Sequence, residues 1–257
     1  METSEYELLA QKQATHWWYR VRRNILESLL EDHRATSDEP CSIIEIGAGA
    51  GSNVPVLKQF GTVTAVEMHD ASRTHLERLY PDVSVGSAAL PDSGVFRDAQ
   101  YDVVVMFDVL EHVEQEHDAL KVVKDHVKPK GRLLLTVPAY QWLWTSHDER
   151  MHHFRRYNRQ MLRASLEDAG WTVERIGYFN TYLFPLAVLA RLKDKVVGAS
   201  VSTGSRVPNS TVNRLFYRVF QSELPRIRRG GFPFGLSVFA MATRQDPPQP
   251  EAVGASG

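Results

Sequence analysis

The apolar run Cys41-Ser42-Ile43-Ile44-Glu45-Ile46 breaks into Gly47-Ala48-Gly49-Ala50-Gly51, and a helical pattern follows over 53–60. Few folds accommodate such a segment. Strand, glycine turn and helix in that order open a βαβ unit. Glycines at this turn let backbone N–H groups approach a ligand at a helix N-terminus. The spacing excludes two familiar versions of the turn. A dinucleotide fingerprint needs glycine at position 52, where Ser52 stands, and a P-loop needs a Gly-Lys-Ser/Thr ending that is absent.

The alternation continues along the chain. Strand patterns are read at 62–66, 83–85, 101–107, 132–137 and 171–176, with a late strand at 232–243; helices are read at 5–31, 71–79, 115–127 and 158–169. The stretch 101–107 is nearly all apolar and β-branched, as a central parallel strand should be. An α/β, doubly wound, open sheet is expected from this alternation. Residues 1–39 are expected to form an N-terminal helical cap and 40–244 the main domain. An insert at 177–230 and a disordered tail at 245–257 complete the organisation.

Charge and cysteine content narrow the class. With 30 Lys+Arg against 31 Asp+Glu the net charge is −1, so no global field favours nucleic acid. The single cysteine, Cys41, excludes an internal disulfide and a thiolate metal cluster and fits a reducing cytosol, so a cytoplasmic protein is expected. The acidic start Met1-Glu2-Thr3-Ser4-Glu5 has no apolar core of a signal peptide. The apolar stretch 177–190 carries Asn180, Thr181 and Pro185 and is too short to span a bilayer.

The segment Glu45-Ile46-Gly47-Ala48-Gly49-Ala50-Gly51 resembles the E/D-x-G-x-G-x-G motif of class I S-adenosylmethionine-dependent methyltransferases. Three further segments match that family in order: Gly86-Ser87-Ala88-Ala89-Leu90-Pro91, the run from Tyr101 through Asp108-Val109-Leu110-Glu111-His112-Val113, and Lys128-Pro129-Lys130-Gly131-Arg132-Leu133. The resemblance implies a mostly parallel seven-stranded Rossmann-like sheet, with the helical insert placed before the last strand. It implies S-adenosylmethionine as cofactor and S-adenosylhomocysteine as product. Gly47, Ala48, Gly49 and Gly51 would pack beneath the methionine and ribose portions, and Glu45 would help hold the ammonium group. Glu67 matches the carboxylate that bonds both ribose hydroxyls, and Met68 the apolar contact to adenine. Ser87 and Ala88 fall in the loop that reads the adenine amino group, although Ser87 stands where the family has Asp. Asp108 and Val109 would border the cofactor. Tyr19 and Arg23, in a segment similar to the N-terminal helix of a bacterial subgroup, are further cofactor candidates.

Methyl transfer asks the protein mainly for alignment and removal of a proton from the acceptor. Candidate bases are Asp108 and His112 after the fourth strand and His147 after the fifth. His147 is preferred because the adjacent Asp148 can tune an imidazole toward neutrality. The segment 142–157 is similar to a stretch that borders the acceptor in the bacterial subgroup. Trp144, His152, Arg156 and Tyr157, with Tyr182 of the insert, are the candidate acceptor contacts. Asp108-x-x-Glu111-His112 with a later histidine (147, 152 or 153) offers oxygen and nitrogen donors. The same string is common without an ion, and no metal is expected.

The expected reaction is O-methylation of a small aromatic or amphipathic molecule. N- or C-methylation of a natural-product or lipid-linked acceptor, and cofactor binding without catalysis, are the alternatives. DNA is not an expected partner, because the Asn-Pro-Pro-Tyr signature of adenine N-methyltransferases is replaced by Phe107-Asp108-Val109-Leu110. For the insert, a lid or homodimer face is preferred over peripheral membrane contact.

Overall fold

The structure, a computed structural model, describes residues 11–34, 41–87, 89–92, 94, 96, 99–197 and 207–244, with backbone alone for 32–34 and 192–197. The linker 35–40, the Gly/Ser-rich break at 198–205, the tail 245–257 and Ala88 lie outside the described residues.

Helix α1 (Trp17–Arg34) follows a helical turn at 11–15. Strand β1 (Cys41–Ile46), helix α2 (Val54–Leu57), β2 (Gly61–Val66), α3 (Asp70–Leu79), β3 (Ser84–Gly86) and β4 (Tyr101–Phe107) follow. After a 3-10 turn at Leu110–His112 come α4 (Glu116–Asp125), β5 (Val127–Pro138), α5 (Ser146–Arg150), α6 (Arg159–Asp168) and β6 (Trp171–Phe179). The chain then makes α7 (Phe184–Val197), α8 (Ser210–Gln221), α9 (Leu224–Arg228) and β7 (Ser237–Arg244).

Among the described residues, seven strands form one sheet in the order β3-β2-β1-β4-β5-β7-β6. β1 to β5 are mutually parallel, and β7 runs antiparallel between β5 and β6. Strand side chains alternate between faces. Ile43, Val103, Val105 and Leu134 enter one core, while Ile44, Val104, Met106, Leu133 and Leu135 enter the other. Helices α4 and α6 cover the second face through Leu120, Val123, Leu162 and Leu166. The first face is covered by α1, whose Val21, Ile25, Leu26, Leu29 and Leu30 are buried at helical spacing. Each such side chain contributes about 1.5–3 kcal/mol by leaving water.

Several boundaries move for local reasons. β5 begins at Val127 rather than 132, because Lys128-Pro129-Lys130-Gly131 bulges out of the ladder: Tyr101 pairs with Val127, yet Val103 pairs with Arg132. The helix read at 53–60 shrinks to Val54–Leu57, since its last residues close into tighter turns, Gln59 N donating to the Val56 carbonyl and Phe60 N to that of Leu57. β6 continues to Phe179, so its last three residues are sheet and not insert. The insert itself divides. Phe220 of α8 stacks on Trp18 and Phe179 at centroid distances of 5.5 and 6.0 Å, so α8 completes the core beside α1. α7 instead borders the carboxyl edge of the sheet, where Phe184 meets Tyr140 and Trp142 edge-on.

That edge is where the backbone is most constrained. Asp108, Tyr140 and Asn180, which follow β4, β5 and β6, have φ of 57°, 60° and 57°. Left-handed non-glycine residues cost of order 1–3 kcal/mol each and cluster at functional sites.

Candidate functional site

The glycine turn is built against the end of β2. Gly47, Gly49 and Gly51 have φ of 74°, 55° and 78°, and the N–H groups of Gly47 and Ala48 both donate to the Val66 carbonyl. A Cβ on Gly47 would lie 2.5 Å from Val109 Cγ2 and one on Gly51 2.5 Å from Leu76 Cδ2, whereas one on Gly49 meets nothing within 4 Å. Gly47→Ala is therefore expected to lower the melting temperature by several degrees more than Gly49→Ala. Both add left-handed strain of about 1–2 kcal/mol, but only Gly47→Ala adds a clash with Val109. Thermal unfolding of the two variants checks this.

Two carboxylates face this turn. Glu67, buried at the end of β2, accepts from Gly49 N at 2.8 Å on Oε2 and from His69 N at 3.0 Å on Oε1. Its remaining lone pairs suit a vicinal diol. Glu45 is 2% exposed. Its Oε1 accepts from Asn53 at 2.6 Å, and its Oε2 has no hydrogen-bond partner among the described residues. Burial pushes its pKa up to about 7, against the opposing pull of Asn53 and Arg22. An orphaned buried oxygen beside a glycine cradle fits a cofactor that carries an ammonium and a ribose.

Arg22 reaches into the same cleft from α1. It pairs with Asp108, donates to Thr136 Oγ1 at 2.9 Å, and lies over the Trp18 and Phe107 rings. Burial raises the Tyr19 phenol above its usual range, with Arg22 and Asp108 within electrostatic reach. Arg23 turns away and donates to the carbonyl of Gln13 at 2.9 Å, and it is Arg22 that points into the cleft. The sequence carried a signal for this. Arg22, Leu26 and Leu30 are four residues apart on one helical face, and an arginine on a buried stripe must meet a partner.

A second group of side chains gathers after β4 and β5. Glu111 is 1% exposed, and its Oε2 has no partner among the described residues. Burial, with the Asp108 charge, raises its pKa well above the carboxylate range. The His112 and His153 rings meet edge-to-face at 4.5 Å, and burial with the His153 charge lowers the His112 pKa. Asp148, fully buried, accepts from His153 Nδ1 at 2.9 Å and from Arg156 Nε and Nη2 at 2.7 and 2.9 Å. Burial opposes its charge, yet the His153 and Arg156 hydrogen bonds hold its carboxyl well below the usual range.

These contacts correct three expectations. Asp148 hydrogen-bonds His153 and not His147, which is exposed on α5. Arg156 is buried on Asp148 and the Ala139 carbonyl, so its guanidinium is already committed and not turned to an acceptor. Tyr157, 1% exposed, donates its hydroxyl to Glu116 and belongs to the core. Trp144 faces His153 edge-on at 6.5 Å, His152 is exposed with φ of 55°, and Tyr182 is exposed against Phe232. Met68 is 60% exposed and Ser87 is exposed beyond β3.

Sheet order, glycine turn and strand-end carboxylates together define an α/β domain built for a nucleoside-bearing cofactor. A family model described as a methyltransferase domain matches residues 17–176, and the chain belongs to this family, the class I S-adenosylmethionine-dependent methyltransferases. A Mycolicibacterium smegmatis protein named as a probable S-adenosylmethionine-dependent methyltransferase is 25% identical over 169 residues, 64% of this chain and 63% of its own length. The chain thus spans less than two thirds of that curated relative. The mitochondrial ubiquinone biosynthesis O-methyltransferase of Schizosaccharomyces pombe is 35% identical over 107 residues, 37% of this chain and 36% of its own. Among solved structures, Synechocystis magnesium protoporphyrin IX methyltransferase with bound S-adenosylhomocysteine aligns at a TM-score of 0.53 and 13% identity, over 88% of this chain and 84% of that one. At that identity the likeness is one of fold. Among the described residues no helix is long and apolar enough to cross a membrane.

Proposed function

We propose that this chain transfers a methyl group from S-adenosylmethionine to a hydroxyl oxygen of a small aromatic or amphipathic acceptor. The observation that carries this reading is the gathering of Glu111, His112 and His153 beyond β4, next to the Asp108 that borders the glycine cradle. A hydroxyl must lose its proton to become a good nucleophile, and such a cluster assists that loss. The O-methyltransferase named among the relatives supports oxygen as the acceptor atom.

When bound, the cofactor supplies a methyl group on a positively charged sulfur. Glu67 holds the ribose hydroxyls, Glu45 meets the ammonium, and Arg22 fixes Asp108 and Thr136 as one wall of the cleft. Tyr140, Trp142 and Phe184 form an aromatic lip suited to an apolar ring. Asp108, His112 and His147 are the candidate proton acceptors, with His112 favoured by its burial in the cluster. Incubating the protein with methyl-labelled cofactor and panels of phenols, amphipathic alcohols and matched amines tests the reading. Methyl ethers are the expected products; label on amines alone overturns the choice of oxygen.

Glu45 gives this reading a pH signature. Its raised pKa means that the cofactor-free protein holds an extra proton between the usual carboxylate pKa of about 4.3 and about 7. Its contribution to stability is complete below that window and is lost as pH rises through about 7. An ammonium beside Glu45 favours the carboxylate, so cofactor binding at pH 6 is expected to release up to one proton. Release should vanish at pH 8.5 and in Glu45→Gln. Calorimetric titration in buffers of different ionisation enthalpy measures it.

A further inference from the structure

We propose that a cavity between α1 and α8, apart from the cofactor cleft, binds a small phosphate-bearing anion. The cavity measures about 420 Å³ and is lined by Ala14, Thr15, Arg20, Ser210, Asn213 and Arg214. Two of these residues are arginines and none is acidic. Such a volume lies in the range of small-molecule pockets. A planar guanidinium fork matches phosphate oxygens in pairs.

The donors are held in place and unspent. Arg20 is half-buried, and its Cζ lies 4.1 Å from the centroid of the Tyr217 ring. Stacking on a ring face leaves the in-plane N–H groups of the guanidinium open. Among the described residues no acceptor takes them. Arg22 and Arg23 of the same helix, by contrast, donate to Thr136 and to the Gln13 carbonyl. The stack is itself anchored, since the Tyr217 hydroxyl accepts from Asn24 at 3.2 Å. Arg214 is exposed in the first turns of α8 and has no carboxylate partner among the described residues. Asn213 pins the wall between them: its Oδ1 accepts from Trp17 N at 2.9 Å and its Nδ2 donates to the Thr15 carbonyl at 3.0 Å.

Charge points the same way. Burial, with the Arg20 charge beside it, lowers the Arg23 pKa, so this side of α1 carries a positive field. α8 adds to that field, because its first turn has no acidic side chain and its first residue, Ser210, lines the cavity. Like charges around a cavity without a carboxylate repel one another, and a phosphate group relieves both arginines at once. Ala14 is the one apolar side chain in the lining, which suits a soluble phosphate ester rather than a lipid with its acyl chains. The anion would tie α1 to α8. Because α1 also carries Arg22 into the cofactor cleft, anion and cofactor should bind with positive coupling.

Calorimetric titration of the full-length chain with pyrophosphate, at constant ionic strength, is expected to show one equivalent bound. Arg20→Gln and Arg214→Gln should each weaken binding at least about tenfold, the loss of one charge-assisted contact. Arg218→Gln removes the same charge one turn along α8, outside the lining, and should not change it. Melting curves identify variants that remain folded, and the exposed Arg214 keeps the test decisive if Arg20→Gln unfolds. Equal weakening by all three variants marks general charge attraction and overturns the site, as does no binding of pyrophosphate to folded wild type. Binding confined to phosphatidic acid vesicles or to an oligonucleotide, with none of the soluble anion, also overturns it. S-adenosylmethionine titrated at saturating pyrophosphate should bind several-fold more tightly; unchanged affinity overturns the coupling and leaves the site.

Discussion

Replacing Glu67 with alanine is expected to weaken S-adenosylmethionine binding by at least about a hundredfold while leaving the fold intact. Hydrogen bonds to a charged group are worth about 1.5–3 kcal/mol each, and the reading above assigns Glu67 two of them to the ribose. The same carboxylate also receives the Gly49 and His69 amides, so its loss loosens the cradle as well as removing its acceptors. Calorimetric titration of wild type and variant with the cofactor and with S-adenosylhomocysteine checks the magnitude. Micromolar binding that survives in Glu67→Ala would move the ribose site elsewhere. Absence of binding to well-folded wild type would overturn the assigned activity.

The second large effect concerns stability. Arg156→Ala is expected to cost about 3–5 kcal/mol, because it leaves the fully buried Asp148 charge without its guanidinium. For a domain of this size that lowers the melting temperature by on the order of 10 °C. An arginine serving only to clamp an anionic acceptor would instead lower acceptor affinity and leave melting unchanged, so the two roles separate in one comparison. The pH dependence follows from the depressed Asp148 carboxyl. Its stabilisation is present above the unfolded carboxylate pKa of about 3.9 and is lost as pH falls toward the lower folded value. Melting of wild type in acid should therefore decline more steeply than that of Arg156→Ala.

The frame of the fold was readable because local signals agreed. Glycine spacing, β-branched runs and helical periodicity each pointed to a parallel α/β sheet, and residue pairs such as Gly49 with Glu67 follow from that topology. The acceptor side was less readable, because its logic lies in partner choice. Nothing in His147-Asp148 or His152-His153 tells which imidazole receives the carboxylate; the capping box at Thr145 turns Asp148 inward, toward His153 and Arg156. Likewise Arg156 and Tyr157 lie in a polar, basic stretch, yet the bridge between Ala139 and Tyr157 draws them under the sheet edge. The insert misled for a similar reason. Its apolar content was equally suited to a lid and to a core, and the stacking of Phe220 on Trp18 and Phe179 makes α8 part of the core.

The placement of β7 bears on synthesis. This strand is inserted between β5 and β6 although it follows both in sequence. While the ribosome is still translating, β5 is a bare edge and β6 has nothing to zip onto. Exposed edges of that kind invite pairing with other chains. The half of the molecule that carries the cofactor cradle can assemble early, because β1 to β4 and their helices are contiguous. The acceptor half must wait for the last strand to arrive.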